Sequence, residues 1–264
     1  MLRWAALLLL AASGANACRM TPTGQANVVR QSVAERPSAN PEALTQAWYS
    51  DLSDRYDHGI LGDAREPTVL HAMSANTSAQ CGLSLGAGAG HVFEDTAPRL
   101  VDVTGDGAPE VIAVRTDLEQ GAQLVVYAPS GDGRTLRAIA STPYIGQRHR
   151  WLAPIGAADL DGDGHIEVAF VDRPHLAKIL RVWRYRDGDF REVAAAEGFA
   201  NHRIGEADIA GGVRDCGQGP EMIVASADWS RLLAVRFDGA FRVRDLGRDT
   251  SRPAFARAMG CGAG

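Results

Sequence analysis

Short apolar runs set off by glycine and aspartate, an almost complete lack of 3.6-residue periodicity, and a pattern that returns at about 45 to 55 residues predict an all-β fold. The runs come in sets of three: "EVIAVRTD", "AQLVVYA", "TLRAIAS"; then "EVAFVDR", "ILRVWRY", "FREVAAA"; then "EMIVASAD", "RLLAVRF", "FRVRDL". A weaker first set begins with "EPTVLHAMSA". The acids that open the sets are Glu66, Glu110, Glu167 and Glu221, at intervals of 44, 57 and 54 residues. Four such units, each a small antiparallel sheet, are expected to form a small β-propeller or partial propeller of about four blades.

Taken in chain order, residues 1–17, "MLRWAALLLLAASGANA", have an early arginine, an apolar stretch and small residues at Ala15 and Ala17. That is the pattern of a secretory signal peptide. Cleavage after Ala17 would expose Cys18, which raises lipidation as a rival fate. Asn16 and the absence of a leucine three places before Cys18 fit a lipidation box poorly, so export to the periplasm or medium as a soluble protein is favoured. Without Arg3 the chain carries 26 basic against 32 acidic residues, a balance that argues against nucleic acid as a partner and is compatible with cation binding. No later stretch is apolar for long enough to span a bilayer, so the mature chain is not expected to be an integral membrane protein.

Residues 18–50 are polar and punctuated by proline ("MTPTG", "ERPSANPEAL"), and read as an N-terminal arm with at most one short helix near Asn40 and Pro41. Residues 51–264 are assigned to the repeat domain. Within it Asp132-Gly133, Asp187-Gly188 and Asp238-Gly239 each fall between two strands of one set, where a two-residue turn needs positive φ; they are hairpin turns.

Two other Asp-Gly pairs close longer patterns. In "DLDGDGHIE" carboxylates stand at Asp159, Asp161, Asp163 and Glu167; in "DVTGDGAPE" the same positions hold Asp102, Thr104, Asp106 and Glu110. Alternate side chains of a coiled loop point to one centre, and the carbonyl of His165 or Ala108 can join them. Glycine at the sixth position permits the bend. An all-oxygen set of this kind suits a hard cation, calcium above all, whereas zinc would want nitrogen or sulfur.

The D-x-[DN]-x-D-G-x-x-[DE] loop followed by a strand resembles the FG-GAP or VCBS repeat of integrin-type β-propellers. The resemblance runs from about Ser50 to Asp249, with full matches at Asp102–Glu110 and Asp159–Glu167. It implies a calcium ion in each matching loop. Family members commonly have seven blades, and this chain is too short for seven, so four blades or a partial ring are expected. The first and fourth units, "GDAREPTVL" and "ADIAGGVRDCGQGPEMIV", depart from the motif and are assigned no ligands.

Cys216 lies in the insertion of the fourth unit and Cys261 near the end, so a disulfide between them would fasten the tail to the last blade; Cys18 with Cys81 would then fasten the arm. Four cysteines allow three pairings, and spacing does not choose among them. A histidine precedes each set, at His58, His91, His149 and His202. Such imidazoles either bridge neighbouring blades or, for His58, His149 and His202 with Arg150, Arg203 and Glu206, converge at the channel mouth as a polar binding site. No nucleophile elbow, zinc-protease helix or phosphate loop is present in the sequence. The expected function is therefore a non-catalytic, calcium-stabilised module that binds a protein or glycan partner at the cell envelope. The alternatives are a propeller hydrolase or lyase and a structural subunit of an envelope assembly.

Overall fold

The computed structural model describes residues 29–34, 38, 40, 42–74, 82–133 and 135–262. The signal peptide, Cys18 and Cys81 lie outside the described residues. Four antiparallel sheets follow one another along the chain. The first comprises β1 (Val29–Val33), β2 (Leu44–Ser53), β3 (Glu66–Ser74) and β4 (Leu83–Gly86), in that order. The second has β5 (His91–Phe93) and β6 (Arg99–Val101), both paired with β7 (Glu110–Asp117), then β8 (Gly121–Pro129) and β9 (Leu136–Ser141). The third is β10 (Leu152–Ala158), β11 (Glu167–Asp172), β12 (Ile179–Arg186) and β13 (Asp189–Glu197). The fourth repeats the second, with β14 (Phe199–Ala200) and β15 (Gly212–Asp215) on β16 (Pro220–Ser226), then β17 (Leu232–Phe237) and β18 (Phe241–Gly247). Helix α1 (Arg252–Met259) follows the fourth sheet.

Glu110, Glu167 and Glu221 open or nearly open the second principal strand of their sheets, Glu66 opens the third strand of the first sheet, and each is buried. The aspartate loops join the first principal strand to that second one, between β6 and β7 and between β10 and β11. Two strands stand where the sequence reading placed an arm: β1 and most of β2 lie within residues 18–50, and a strand rather than a helix follows Asn40. The alternation that would have revealed β2 is broken by a register shift between Leu44 and Gln46, so Leu44, Ala47 and Tyr49 reach the core without an even spacing. The sets of three also omitted the first strand of each later sheet, such as β10, whose Pro154 and Gly156 interrupt the apolar run at another register shift.

The second principal strands are apolar on both faces, which explains why their sequences read as continuous runs. Val111 and Ala113 of β7 pack with Tyr49 and Leu70 of the first sheet, while Ile112 and Val114 pack with Leu152 and Phe170 of the third. Ala169 and Val171 of β11 meet Met222 and Val224 of the fourth sheet. Among the described residues the far face of that fourth sheet, Ile223, Ala225, Leu232 and Ala234, is covered by Ala254, Phe255 and Ala258 of α1.

The helix is well specified locally, although the sequence reading gave it no place. Ser251 accepts a hydrogen bond from the Ala254 amide as N-cap, and proline stands in the first turn. Its far end is held by the Cys216–Cys261 disulfide, which closes a separation of 45 residues. Arg214 adds a buried contact to the Ala258 carbonyl. The first and fourth sheets also meet through loops: the Gly205 amide donates to Ile60 O at 3.1 Å. Gly62, at φ +89°, permits that approach, since a Cβ there would stand 2.6 Å from Gly205 O.

Phe255→Ala is expected to cost about 3–5 kcal/mol, the usual range for a buried aromatic. Breaking the disulfide as Cys216→Ser/Cys261→Ser should remove up to roughly 4 kcal/mol on a chain-entropy basis for a loop of this length. Urea melts of each variant, and of the parent with and without reductant, check both; an unchanged midpoint in reductant would mean that the helix holds without its staple.

Candidate functional site

The two aspartate loops fold alike. Asp102 Oδ1 accepts from the Gly105 amide at 2.7 Å and Oδ2 from Gly107 at 2.9 Å. Asp159 does the same with Gly162 at 2.8 Å and Gly164 at 3.0 Å. Asp106 and Asp163 accept from the amides of Ala108 and His165 at 2.8 and 2.9 Å. Gly107 and Gly164, the sixth residue of each loop, both lie at φ +87°. The coiled backbone expected from the spacing is thus present in both.

Their centres differ. Ligand oxygens of Asp159, Asp161 and Glu167 all lie within 4.8 Å of one another, a group that could hold a metal ion. Arg184 reaches the same group from the neighbouring strand, with Nε 2.5 Å from Glu167, Nη1 3.1 Å from Asp163, and Nη2 against Asp161. In the other loop Glu110 takes its hydrogen bonds from Val103 N at 2.8 Å, Thr104 N at 3.1 Å and Thr104 Oγ1 at 3.1 Å. Among the described residues no basic side chain is paired with Asp102, Asp106 or Glu110. Burial raises the Glu110 carboxyl, opposed by the loop amides. Burial also raises Glu167, with the Arg184 hydrogen bond acting against it.

The histidines divide into two places. His91 hydrogen-bonds Tyr144 at 2.9 Å and approaches Asp117 at 3.3 Å, apart from the others. His58, His149 and Arg150 line one cavity of about 230 Å³ together with Trp151, Arg173, His175 and Leu176. The β2–β3 loop supplies His58, the segment before β10 supplies His149 to Trp151, and the β11–β12 connection supplies Arg173 to Leu176. His58 and His149 stack with centroids 5.0 Å apart. Tyr56 fixes this arrangement from beneath, its hydroxyl accepting from the His149 amide at 2.8 Å.

Glu94 is the buried partner of the site. Its Oε1 is 2.5 Å from His58 Nδ1, with the two side chains 0% and 13% exposed. Thr116 donates to its other oxygen at 3.1 Å, and the Trp151 indole donates to its backbone carbonyl at 2.7 Å. Burial pushes the Glu94 carboxyl well up, and burial with the nearby Arg150 charge pushes His58 down to about 4. Burial thus pushes both members of this close pair toward their neutral forms.

His202 lies behind the cavity wall, in ring contact with Trp151 at 4.9 Å. Its Nε2 bonds the Glu206 carbonyl at 2.7 Å, so that nitrogen carries the proton and Nδ1 accepts from His175 Nε2 at 3.1 Å. The other two expected members face elsewhere: Arg203 sits over the Trp229 ring at 4.0 Å, and Glu206 pairs with Arg252. Leu176 and Ile204, 62% and 70% exposed, form an apolar rim. Sequence reasoning missed His175 because it lies outside the repeat phase. Glu94 was legible only as an acid in the apolar "HVFED" that follows His91.

Residues 102–170 match the FG-GAP-like repeat family, a stretch that contains both aspartate loops and the strands between them. No curated protein matches the chain in sequence. Among solved structures, the exotype rhamnogalacturonan lyase YesX is similar at 16% identity over 81% of this chain and 52% of the lyase, with a TM-score of 0.45. Sqt1 of Saccharomyces cerevisiae is similar at 12% identity over 81% of this chain and 49% of Sqt1, with a TM-score of 0.38. The chain therefore spans about half the length of these structures, and a likeness at this level carries no inference about activity. Among the described residues no helix is long and apolar enough to cross a membrane.

Burial, then the neighbouring His202, lowers His175 to about 4 from an ordinary 6.5. The unfolded chain therefore takes up this proton at a higher pH than the folded one. Stability from His175 is present above 6.5 and lost as pH falls toward 4. His202, Trp151, His58 and Lys178 surround the group, and none supplies a carboxylate to reverse the sign. Melting temperatures between pH 7 and 4 should fall less steeply for His175→Asn than for the parent; parallel curves would exclude this proton linkage.

Proposed function

We propose that the chain is an exported, calcium-stabilised, non-catalytic binding module, and that the imidazole cavity receives its partner. The observation that carries this reading is the convergence of segments from the first and third sheets, with Ile204 from the fourth, on one small cavity that has an apolar rim. Loops held by a rigid scaffold are the usual place for recognition. A volume of about 230 Å³ lies below the range of drug-sized pockets, so the cavity suits one side chain or one sugar unit of a larger protein or glycan at the cell envelope. Trp151 and Leu176 offer an apolar wall, and Arg150 and the imidazoles offer the polar contacts.

Calcium fits the Asp102–Glu110 loop by its donor chemistry. Asp102, Thr104, Asp106 and Glu110, with the Ala108 carbonyl, offer oxygen donors without a resident basic group, although among the described residues only Asp159, Asp161 and Glu167 bring ligand atoms within 4.8 Å of one another. The coiled backbone and the FG-GAP-like match support the same reading. The disulfide between Cys216 and Cys261 supports an oxidising compartment, as the N-terminal sequence does.

A catalytic reading is favoured by one observation, the 2.5 Å contact of His58 with buried Glu94. In that case an ionised Glu94 would accept from His58 Nδ1–H and leave Nε2 as the general base, and His58→Asn would abolish turnover of an envelope glycan or peptide that the parent consumes.

Two measurements test the main reading. Peptide and glycan arrays probed with the parent and with Ile204→Asp should give hits that the variant loses at least tenfold, with no change in melting temperature because Ile204 is exposed. Equal binding would place recognition elsewhere on the surface. For calcium affinities of roughly 10⁻⁴ to 10⁻³ M, about 1 mM calcium should stabilise the protein by on the order of 0.4–1.4 kcal/mol per site. Melts in calcium and in chelator that coincide, with no bound metal by elemental assay, would refute the ion.

A further inference from the structure

Glu110, Glu167 and Glu221, at the start of β7, β11 and β16, are buried carboxylates, and their three sheets surround them differently. In the third sheet the residue paired with Glu167 across the ladder is Arg184. Extending the β7–β8 and β16–β17 registers by one residue places Ala128 opposite Glu110 in the second sheet and Arg236 opposite Glu221 in the fourth. The fourth sheet lacks the aspartate motif altogether. There Arg214, Arg244 and Arg236 surround Glu221 at 2.5, 3.1 and 3.7 Å. The second sheet has the motif and, among the described residues, no arginine paired with Glu110. The third sheet has both.

Between the second and fourth sheets the same register position thus carries alanine beside the motif and a guanidinium where the motif is lost. Where the two coincide, Arg184 spans the loop: its three nitrogens each engage a different carboxylate, Glu167, Asp161 and Asp163. Its side chain is 18% exposed, and the carboxylates it gathers include the cluster that could hold a metal. A divalent ion at that centre would stand against a fixed positive charge.

We propose that Arg184 is the resident cation of the Asp159–Glu167 loop. Its guanidinium takes the place of a divalent ion, so this loop stays closed without metal and calcium dependence is confined to Asp102–Glu110. Only the second clause rests on the calcium reading of Asp102–Glu110.

Equilibrium dialysis against 1 mM calcium chloride tests it. The variant Asp102→Asn/Asp106→Asn, with Arg184 intact, should take up no calcium. Adding Arg184→Gln to that variant should create a site filled to about half or more, as expected for affinities of roughly 10⁻⁴ to 10⁻³ M. Uptake with Arg184 intact overturns the proposal, and so does failure of the folded Arg184→Gln variant to gain calcium. Should Arg184→Gln not melt cooperatively, Asp161→Asn in the otherwise unaltered chain decides: unchanged calcium uptake upholds the proposal, and reduced uptake overturns it. If the unaltered chain binds no calcium, the reading of Asp102–Glu110 fails, while the gain on removing Arg184 remains a separate result.

Discussion

Strands that are apolar on both faces need a neighbour on each side, and the rest of the architecture follows from that constraint. β7, β11 and β16 expose little to water, so each sheet is stable only when packed between two others. A stack of such sheets cannot end on a bare face. The fourth sheet ends under α1, whose Ala254, Phe255 and Ala258 fill the place of a further blade. The role is that of a terminal cap in a repeat array, with the disulfide at Cys261 holding the cap in place.

Packing sheet against sheet also buries the acid at the start of each second strand. A buried charge must be neutralised or richly hydrogen-bonded, and the choice made in each sheet shapes the loop beside it. In the second sheet loop amides and a threonine hydroxyl turn toward Glu110. In the fourth, Arg214 is itself buried and also reaches the Ala258 carbonyl, which ties this local electrostatics to the helix that ends the stack. The loop chemistry and the end of the fold are therefore coupled through one guanidinium.

The cavity has the opposite electrostatic character. His58, His175 and His202 are held toward the neutral form by burial, so the wall they build with Trp151 is polar in its hydrogen bonding but carries little charge. The formal positive charge at its edge comes from Arg150, bonded to the His149 carbonyl, and from Arg173, paired with Asp172. A ligand there would meet directional donors and acceptors in an apolar frame, an arrangement that gives orientation rather than long-range attraction.

The sequence by itself determined the all-β class, the number of sheets, the two-residue Asp187-Gly188 turn and the coiled aspartate loops, because each depends on residues close together in the chain; the turns at Asp132 and Asp238 proved to be longer loops of six and three residues. Strand β2 and the first strand of each later sheet were hidden, since register shifts at Leu44–Gln46 and Pro154–Gly156 break the alternation that marks a strand. Helix α1 has its cap and proline in the sequence, but its purpose exists only beside the exposed face of the fourth sheet. The phase of the histidines was legible, yet only the tertiary structure separated His91 from the cavity, turned Arg203 and Glu206 away, and brought in His175 and Glu94. It also placed Arg184 among carboxylates up to 23 residues away. Side chains that meet across sheets do so through register and packing, which no local pattern encodes.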